Sequence, residues 1–124
     1  MGSEPAECCP LTEALRAKHP VPAPGVPQSS LVAGQRGVTG PVLAACLTQV
    51  DQVVPVTDQQ VAAALVILGE VEHLAVPPAA ATPLAALLPS SPEGKSPLAV
   101  NLQSKTVGII LHGGYLDPTV IGRY

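Results

Sequence analysis

The sequence contains no phenylalanine and no tryptophan, and aromatic residues make up only 2% of it. Aromatic side chains normally supply the largest blocks of buried surface, so the core has to be built from alanine, valine and leucine. Such a core buries less area per residue, and 15 prolines restrict regular structure further. We therefore expect a chain that is marginally stable alone, or one that forms part of something larger.

Charge is also scarce, because Asp, Glu, Lys and Arg make up 12% of the residues and the net charge is -3. No basic cluster is present, which argues against a nucleic-acid partner. The longest apolar run, Val61–Leu68, is much shorter than the roughly 20 residues that a membrane-spanning helix needs. The acidic start is not a signal peptide. These absences predict a soluble, cytoplasmic protein without a membrane partner.

The three cysteines, Cys8, Cys9 and Cys46, are an odd number. Two of them are adjacent, a spacing that fits neither a zinc knuckle nor a redox Cys-x-x-Cys pair. We interpret all three as free thiols in a reducing compartment.

Residues 1–41 divide into a strand end with a short helix and a loop. Apolar residues at helical spacing predict a helix that ends near Lys18, with Thr12 as its cap. Residues 19–41 are rich in proline and glycine, which excludes a helix or a central strand in most of this span. We therefore assign residues 1–18 to the strand end and helix, and residues 19–41 to a proline-rich loop.

Residues 42–124 alternate between helix and strand patterns. Pro41 suits the first turn of a helix over Val42–Val50, and Pro55 places a short strand in Asp51–Thr57 at a sheet edge. The pair Thr57 and Gln60 forms a capping box, which starts a helix that extends to about His73.

The same region continues with further predicted elements: a short strand at 74–76, an alanine-rich helix at 79–88 and a buried strand at 106–111. Alternation of this kind predicts one α/β domain over residues 1–124 with a partly parallel sheet and helices on its faces. Ligands in such sheets bind beyond the carboxyl ends of strands, and His112-Gly113-Gly114 follows the last predicted strand.

Two long stretches of the sequence resemble a known enzyme family. They are VTDQQVAAALVILGEVEHLAVPPAAATPLAALL and KTVGIILHGGYLDP, preceded by SEPAECC, LVAGQRG and TGPVLAACLTQVDQVVPVTDQQV. In the same order they resemble the carboxyl-terminal part of pyridoxal-phosphate-dependent serine/threonine dehydratases and serine racemases. The resemblance implies a truncated form of the fold of the tryptophan synthase β subunit, with strands that end in "VEPAGA" and "SGGN" in the family.

The departures from the family pattern concern the groups that hold the cofactor. The family's Schiff-base lysine, in a Ser-x-Lys context, and its glycine-rich phosphate loop have no counterpart in this sequence. His112 stands at the serine of "SGGN", Tyr115 at its asparagine, and Pro77 at the glutamate of "VEPAGA". The paired glycines, Gly113 and Gly114, are kept. We therefore predict no catalytic residue in this chain.

The resemblance suggests two candidate sites, each with a structural alternative. His112, Gly113 and Gly114 are candidates for the wall of a pyridoxal-phosphate pocket, and the alternative is a turn in which glycine permits positive φ. Glu4, in the acidic turn that it shares with Glu7, is a candidate ligand for Mg²⁺ or Ca²⁺, and the alternative is a solvated acidic turn.

Other polar groups are interpreted as solvated. Glu70, Glu72 and His73 close a helix without metal-ligand spacing. Lys105 precedes a strand and is expected to be exposed, whereas an aldimine lysine needs a dry pocket.

Two functions follow from these patterns. The first is a truncated relative of enzymes that deaminate serine or threonine by β-elimination or racemise serine, inactive alone because the lysine and phosphate loop are missing. The alternative is a non-enzymatic interaction or regulatory module that pairs with a full-length homologue, because an incomplete sheet exposes edges and apolar surface.

Overall fold

The computed structural model describes residues 1–22, 31–32, 37–90, 94–98, 100–114 and 119. Four helices and two strands form within these residues, and the strands pair in parallel. In chain order they are β1 (Gly2–Pro5), α1 (Pro10–Ala17), α2 (Gly40–Gln49), β2 (Val53–Val56), α3 (Asp58–Glu70) and α4 (Pro78–Leu87). The predicted α/β class with parallel strands is confirmed. No helix in the described ranges combines the length and the apolarity needed to cross a bilayer.

Pro55 closes the outer edge of β2. The carbonyls of Gln52 and Val56 accept hydrogen bonds from β1, each at 2.8 Å. Because successive strand residues direct their backbone groups to opposite sides, those of Val53 and Pro55 face away from β1. Proline has no N–H, so the outer edge lacks a donor at its centre. The predicted edge position of Pro55 is confirmed.

Pro5 closes the outer edge of β1 in the same way. The N–H groups of Gly2 and Ala6 donate to β2, which turns the backbone groups of Ser3 and Pro5 outward. The Pro5 carbonyl already accepts the Cys8 N–H at 3.0 Å. Within β1, therefore, only Ser3 presents both a donor and an acceptor to that edge.

The core lies between α3, α4 and the sheet, and small side chains fill it. Helix α4 buries Ala80, Ala81, Ala85 and Ala86 completely. Helix α3 contributes an apolar stripe that leaves one position exposed, and the buried members of the stripe are Val61, Ala64, Leu65 and Leu68. That position is Val71, which is 65% exposed because α3 ends at Glu70, before the stripe is complete.

Both ends of α3 have defined hydrogen bonds. Thr57 Oγ1 accepts the Gln60 N–H at 3.3 Å, and Gln60 Oε1 accepts the Thr57 N–H at 2.8 Å, which confirms the capping box. The helix stops short of its predicted end because His73 adopts a φ of 55°, and the N–H of Leu74 then donates to the Leu68 carbonyl at 2.8 Å.

The proline-rich loop contributes to the core through its described residues. Leu31 and Val32 are 5% and 1% exposed and pack in the main apolar cluster. The Leu31 N–H donates to Asp58 Oδ2 at 2.7 Å, which attaches the loop to the first turn of α3. Residues 23–30 and 33–36 of this predicted loop lie outside the described residues.

Two predicted strands are wrong. Residues 74–76 and 106–111 adopt no strand, and within the second segment Val107 is 43% and Ile110 82% exposed. The physical reason is the limited pairing capacity of the outer edges, because Pro55 removes a donor within β2 and Pro5, the last residue of β1, leaves only Ser3 as a donor there. The apolar, β-branched composition that predicted these strands indicates a propensity, and pairing requires a partner as well.

Candidate functional site

Gly113 packs directly against the residue that precedes α4. Its φ is 76°, and a Cβ placed on it would lie 2.9 Å from Pro77 Cγ. Both the backbone conformation and the available space therefore require glycine at this position. Gly114 has open space within 4 Å of its Cβ direction. The glycine loop, which was predicted to form a pocket wall, is thus in contact with the start of α4.

The start of α4 is poorly equipped to bind a phosphate. Helix N-termini bind anions through backbone N–H groups that point out of the first turn. Pro77 and Pro78 occupy the cap and the first helical position and have no N–H, and the Ala80 N–H donates to the Pro77 carbonyl at 2.9 Å. His112, Gly113 and Gly114 are all exposed. The arrangement is a surface loop against a helix end.

The lysines do not supply an aldimine site. Lys18, Lys95 and Lys105 are all exposed, and Lys18 ends α1 in a left-handed conformation. A lysine that forms a Schiff base needs a depressed pKa, which burial or a nearby positive charge provides. The described residues therefore do not fit a complete pyridoxal-phosphate site. Tyr115 lies outside the described residues.

Glu4 caps α1. Its side chain is 5% exposed, Oε2 accepts the Leu11 N–H at 3.0 Å, and Oε1 accepts the Thr12 N–H at 2.9 Å. A carboxylate at this position satisfies two N–H groups that have no partner within the helix and complements the helix dipole. The predicted cap by Thr12 is wrong, because Thr12 supplies a donor to Glu4 instead.

Both carboxylate oxygens of Glu4 therefore accept hydrogen bonds from backbone N–H groups of α1. Within the described ranges, no three His, Cys, Asp or Glu side chains come together in a group that could hold a metal ion. Glu7, the other acid of this turn, is exposed. A metal site at Glu4 stays a prediction, and the observed contacts of Glu4 are those of a helix cap.

Cys8 and Cys9 lie beside this cap, and neither forms a disulfide. Burial raises the pKa of both, and the negative charges of Glu4 and Glu13 raise it further. Cys9 Sγ also donates to the Pro5 carbonyl at 3.1 Å. These thiols are therefore held in the protonated, weakly nucleophilic form.

The other polar residues discussed here are exposed or bind a backbone N–H group. Glu70, Glu72 and His73 are exposed at the end of α3, as predicted, and Lys105 is exposed, as predicted. Asp58 lies in the first turn of α3, where its charge favours the helix dipole, and it also accepts the Leu31 N–H. The two residues are 27 positions apart in the sequence, so no local pattern indicates this bond.

Comparison with known proteins identifies the fold. No protein-family model and no curated protein matched the sequence. Serine racemase from Dictyostelium discoideum matches with a TM-score of 0.75 and 23% identity, over 92% of this chain and 34% of that one. A threonine deaminase from T.th. matches with a TM-score of 0.63 and 22% identity, over 69% of this chain and 29% of that one.

The chain therefore has the fold of one part of these two enzymes, and the fold expected from the sequence resemblance is confirmed. It spans about a third of the racemase chain and less of the deaminase chain. At these identities the similarity establishes the fold alone.

Replacing Gly113 tests the contact between the glycine loop and α4. Gly113→Ala should destabilise the protein by about 1–2 kcal/mol, because alanine is strained at positive φ and its Cβ meets Pro77. Gly114→Ala is the matched control and should change stability by no more than about 0.5 kcal/mol. Equal melting temperatures for the two variants would show that the loop does not pack on Pro77.

Replacing Glu4 tests its role as a cap. Glu4→Ala should cost about 1–3 kcal/mol in a denaturant titration, because two N–H donors lose a partly buried acceptor. Glu7→Ala removes an exposed charge of the same turn and should have little effect. If Glu4 instead binds a cation, the wild-type protein will melt at a higher temperature with added Mg²⁺ or Ca²⁺ and Glu4→Ala will not.

The raised pKa of Cys9 has a kinetic consequence. In a Cys8→Ser, Cys46→Ser background, alkylation by iodoacetamide should reach half its limiting rate at a higher pH than a free cysteine does, because only the thiolate reacts. Glu13→Gln removes one negative charge and should move that midpoint to lower pH. A midpoint at or below that of free cysteine would contradict the burial and charge environment described.

Proposed function

We propose that this chain forms a structural part of a serine/threonine dehydratase-like or serine racemase-like fold and performs neither β-elimination nor racemisation alone. The observation that carries the proposal is that all three of its lysines are exposed. A Schiff base with pyridoxal phosphate requires an amine that is unprotonated at working pH, which exposed lysines rarely provide.

The glycine loop supports the structural half of this proposal. Gly113 on Pro77 joins the segment that resembles "SGGN" to the segment that resembles "VEPAGA". In the complete family enzyme, the resemblance implies that pyridoxal phosphate acts as the electron sink for the reaction. In this chain the same contact fixes the loop against α4, and the prolines there leave few donors for a phosphate.

The experiment is a titration of the purified protein with pyridoxal phosphate. We expect no stable aldimine band in the absorption spectrum, no adduct by mass spectrometry after borohydride reduction, and no ammonia release from serine or threonine. A stoichiometric band that disappears in only one of Lys18→Arg, Lys95→Arg and Lys105→Arg, together with ammonia release, would overturn the proposal.

A second candidate function is that of a module that binds a longer chain of the same fold. It is favoured by the large apolar side chains that are at least 43% exposed on α2, on and after α3, and between residues 100 and 110. They are Val42, Leu47, Val66, Val71, Leu74, Val100, Val107 and Ile110. Exposed apolar surface of this kind marks interaction sites.

Dictyostelium discoideum serine racemase is a suitable probe for this second function, because its fold covers nearly the whole chain. Native mass spectrometry of a mixture should show a heteromer, and racemase activity should change with the dose of this chain. Unchanged mass and activity would count against binding to this fold.

A further inference from the structure

Helix α4 contains a proline in its interior, where proline usually breaks or bends a helix. The helix extends over Pro78–Leu87 and continues through Pro83. Proline has no N–H, so the carbonyl of Ala79, four residues earlier, cannot accept the usual helical hydrogen bond. Helix α4 nevertheless packs against the core with buried alanines on both sides of Pro83. Another donor is therefore needed at the Ala79 carbonyl.

The hydroxyl of Thr82 supplies this donor. Thr82 Oγ1 donates to the Ala79 carbonyl oxygen at 3.0 Å and also lies 3.0 Å from Ser3 Oγ. A carbonyl oxygen only accepts, so the single hydroxyl proton of Thr82 points to Ala79 and an oxygen lone pair accepts the proton of Ser3. Thr82 is 5% exposed, which gives water little access to either bond.

A second threonine shows what is particular to Thr82. In α2, Thr48 Oγ1 donates to the Ala45 carbonyl at 3.0 Å with the same spacing, a bond that threonine often makes within a helix. The residue after Thr48 is glutamine, which has an N–H for that carbonyl, and Thr48 is exposed. Thr82 differs in its burial, in its second bond to Ser3 and in the proline that follows it.

We propose that Ser3, Thr82 and Ala79 form a hydrogen-bond relay that replaces the helical bond lost at Pro83 and attaches α4 to β1. Hydrogen bonds in series polarise one another, so the bond from Ser3 strengthens the bond from Thr82 to Ala79. The relay joins residues that are 79 positions apart, and it couples the continuity of α4 to its contact with the sheet. The proposal does not depend on whether the chain binds a cofactor.

A double-mutant cycle in denaturant tests the relay. Thr82→Val keeps the shape and removes the hydroxyl, and should raise the equilibrium constant of unfolding at least about tenfold, because the Ala79 carbonyl loses its donor. Pro83→Ala restores a backbone N–H for that carbonyl. In the Pro83→Ala background, the effect of Thr82→Val should be at least about threefold smaller. The matched control, Thr48→Val, should change the constant by less than about threefold.

Two further measurements cover the case in which Thr82→Val does not fold. The double variant Thr82→Val, Pro83→Ala should then fold. In the wild-type protein, the Thr82 hydroxyl proton should exchange slowly enough to give a resolved NMR signal, with a nuclear Overhauser contact to the Ser3 side chain. The proposal is overturned by an equal effect of Thr82→Val in both backgrounds, by an equal effect of Thr48→Val, by a double variant that does not fold, or by a Thr82 hydroxyl that exchanges as fast as an exposed one.

Discussion

The position of two prolines determines how far the sheet extends. Parallel pairing of β1 with β2 fixes which backbone groups face outward, and Pro5 and Pro55 both lie in outward positions. Each outer edge thereby loses a donor, within β2 at Pro55 and at the last residue of β1 at Pro5, and a third strand would leave unsatisfied carbonyls there. Among the described residues, the two-stranded sheet and the lack of strand structure at 106–111 agree with this constraint.

A small sheet needs another source of buried area, and α4 provides it. Its alanines allow α3 and the sheet to approach closely, so that a core without large aromatic rings still excludes water around Val54, Val56 and Val61. The Ser3 hydroxyl donates to Thr82 Oγ1 at 3.0 Å and attaches α4 to β1. Short side chains leave little room for repacking, so each contact in this core depends on accurate placement of the helices.

The sequence predicted those features of the helices that depend on residues close together in the chain. The capping box of Thr57 and Gln60, and proline in the first turn of α2, depend on residues within one helical turn of each other. Long-range contacts were not predictable in this way: Glu4 reaches the first turn of α1, and Asp58 binds Leu31 across the proline-rich loop. The strand at 106–111 failed for a related reason, because its composition carries no information on whether a receiving edge exists.

Packing alone explains why the glycine loop of the candidate site contains Gly113, so this residue does not indicate catalysis. The sequence resemblance assigned Gly113 and Pro77 to two separate family motifs, and the structure shows that glycine is required at 113 by its positive φ and by the space that the Pro77 ring occupies. Those two requirements hold whether or not a cofactor is bound. Glycine at this position is therefore evidence about packing, and a claim of catalysis has to rest on an amine with a depressed pKa. Such an amine has to come from one of the three lysines, and all three are exposed.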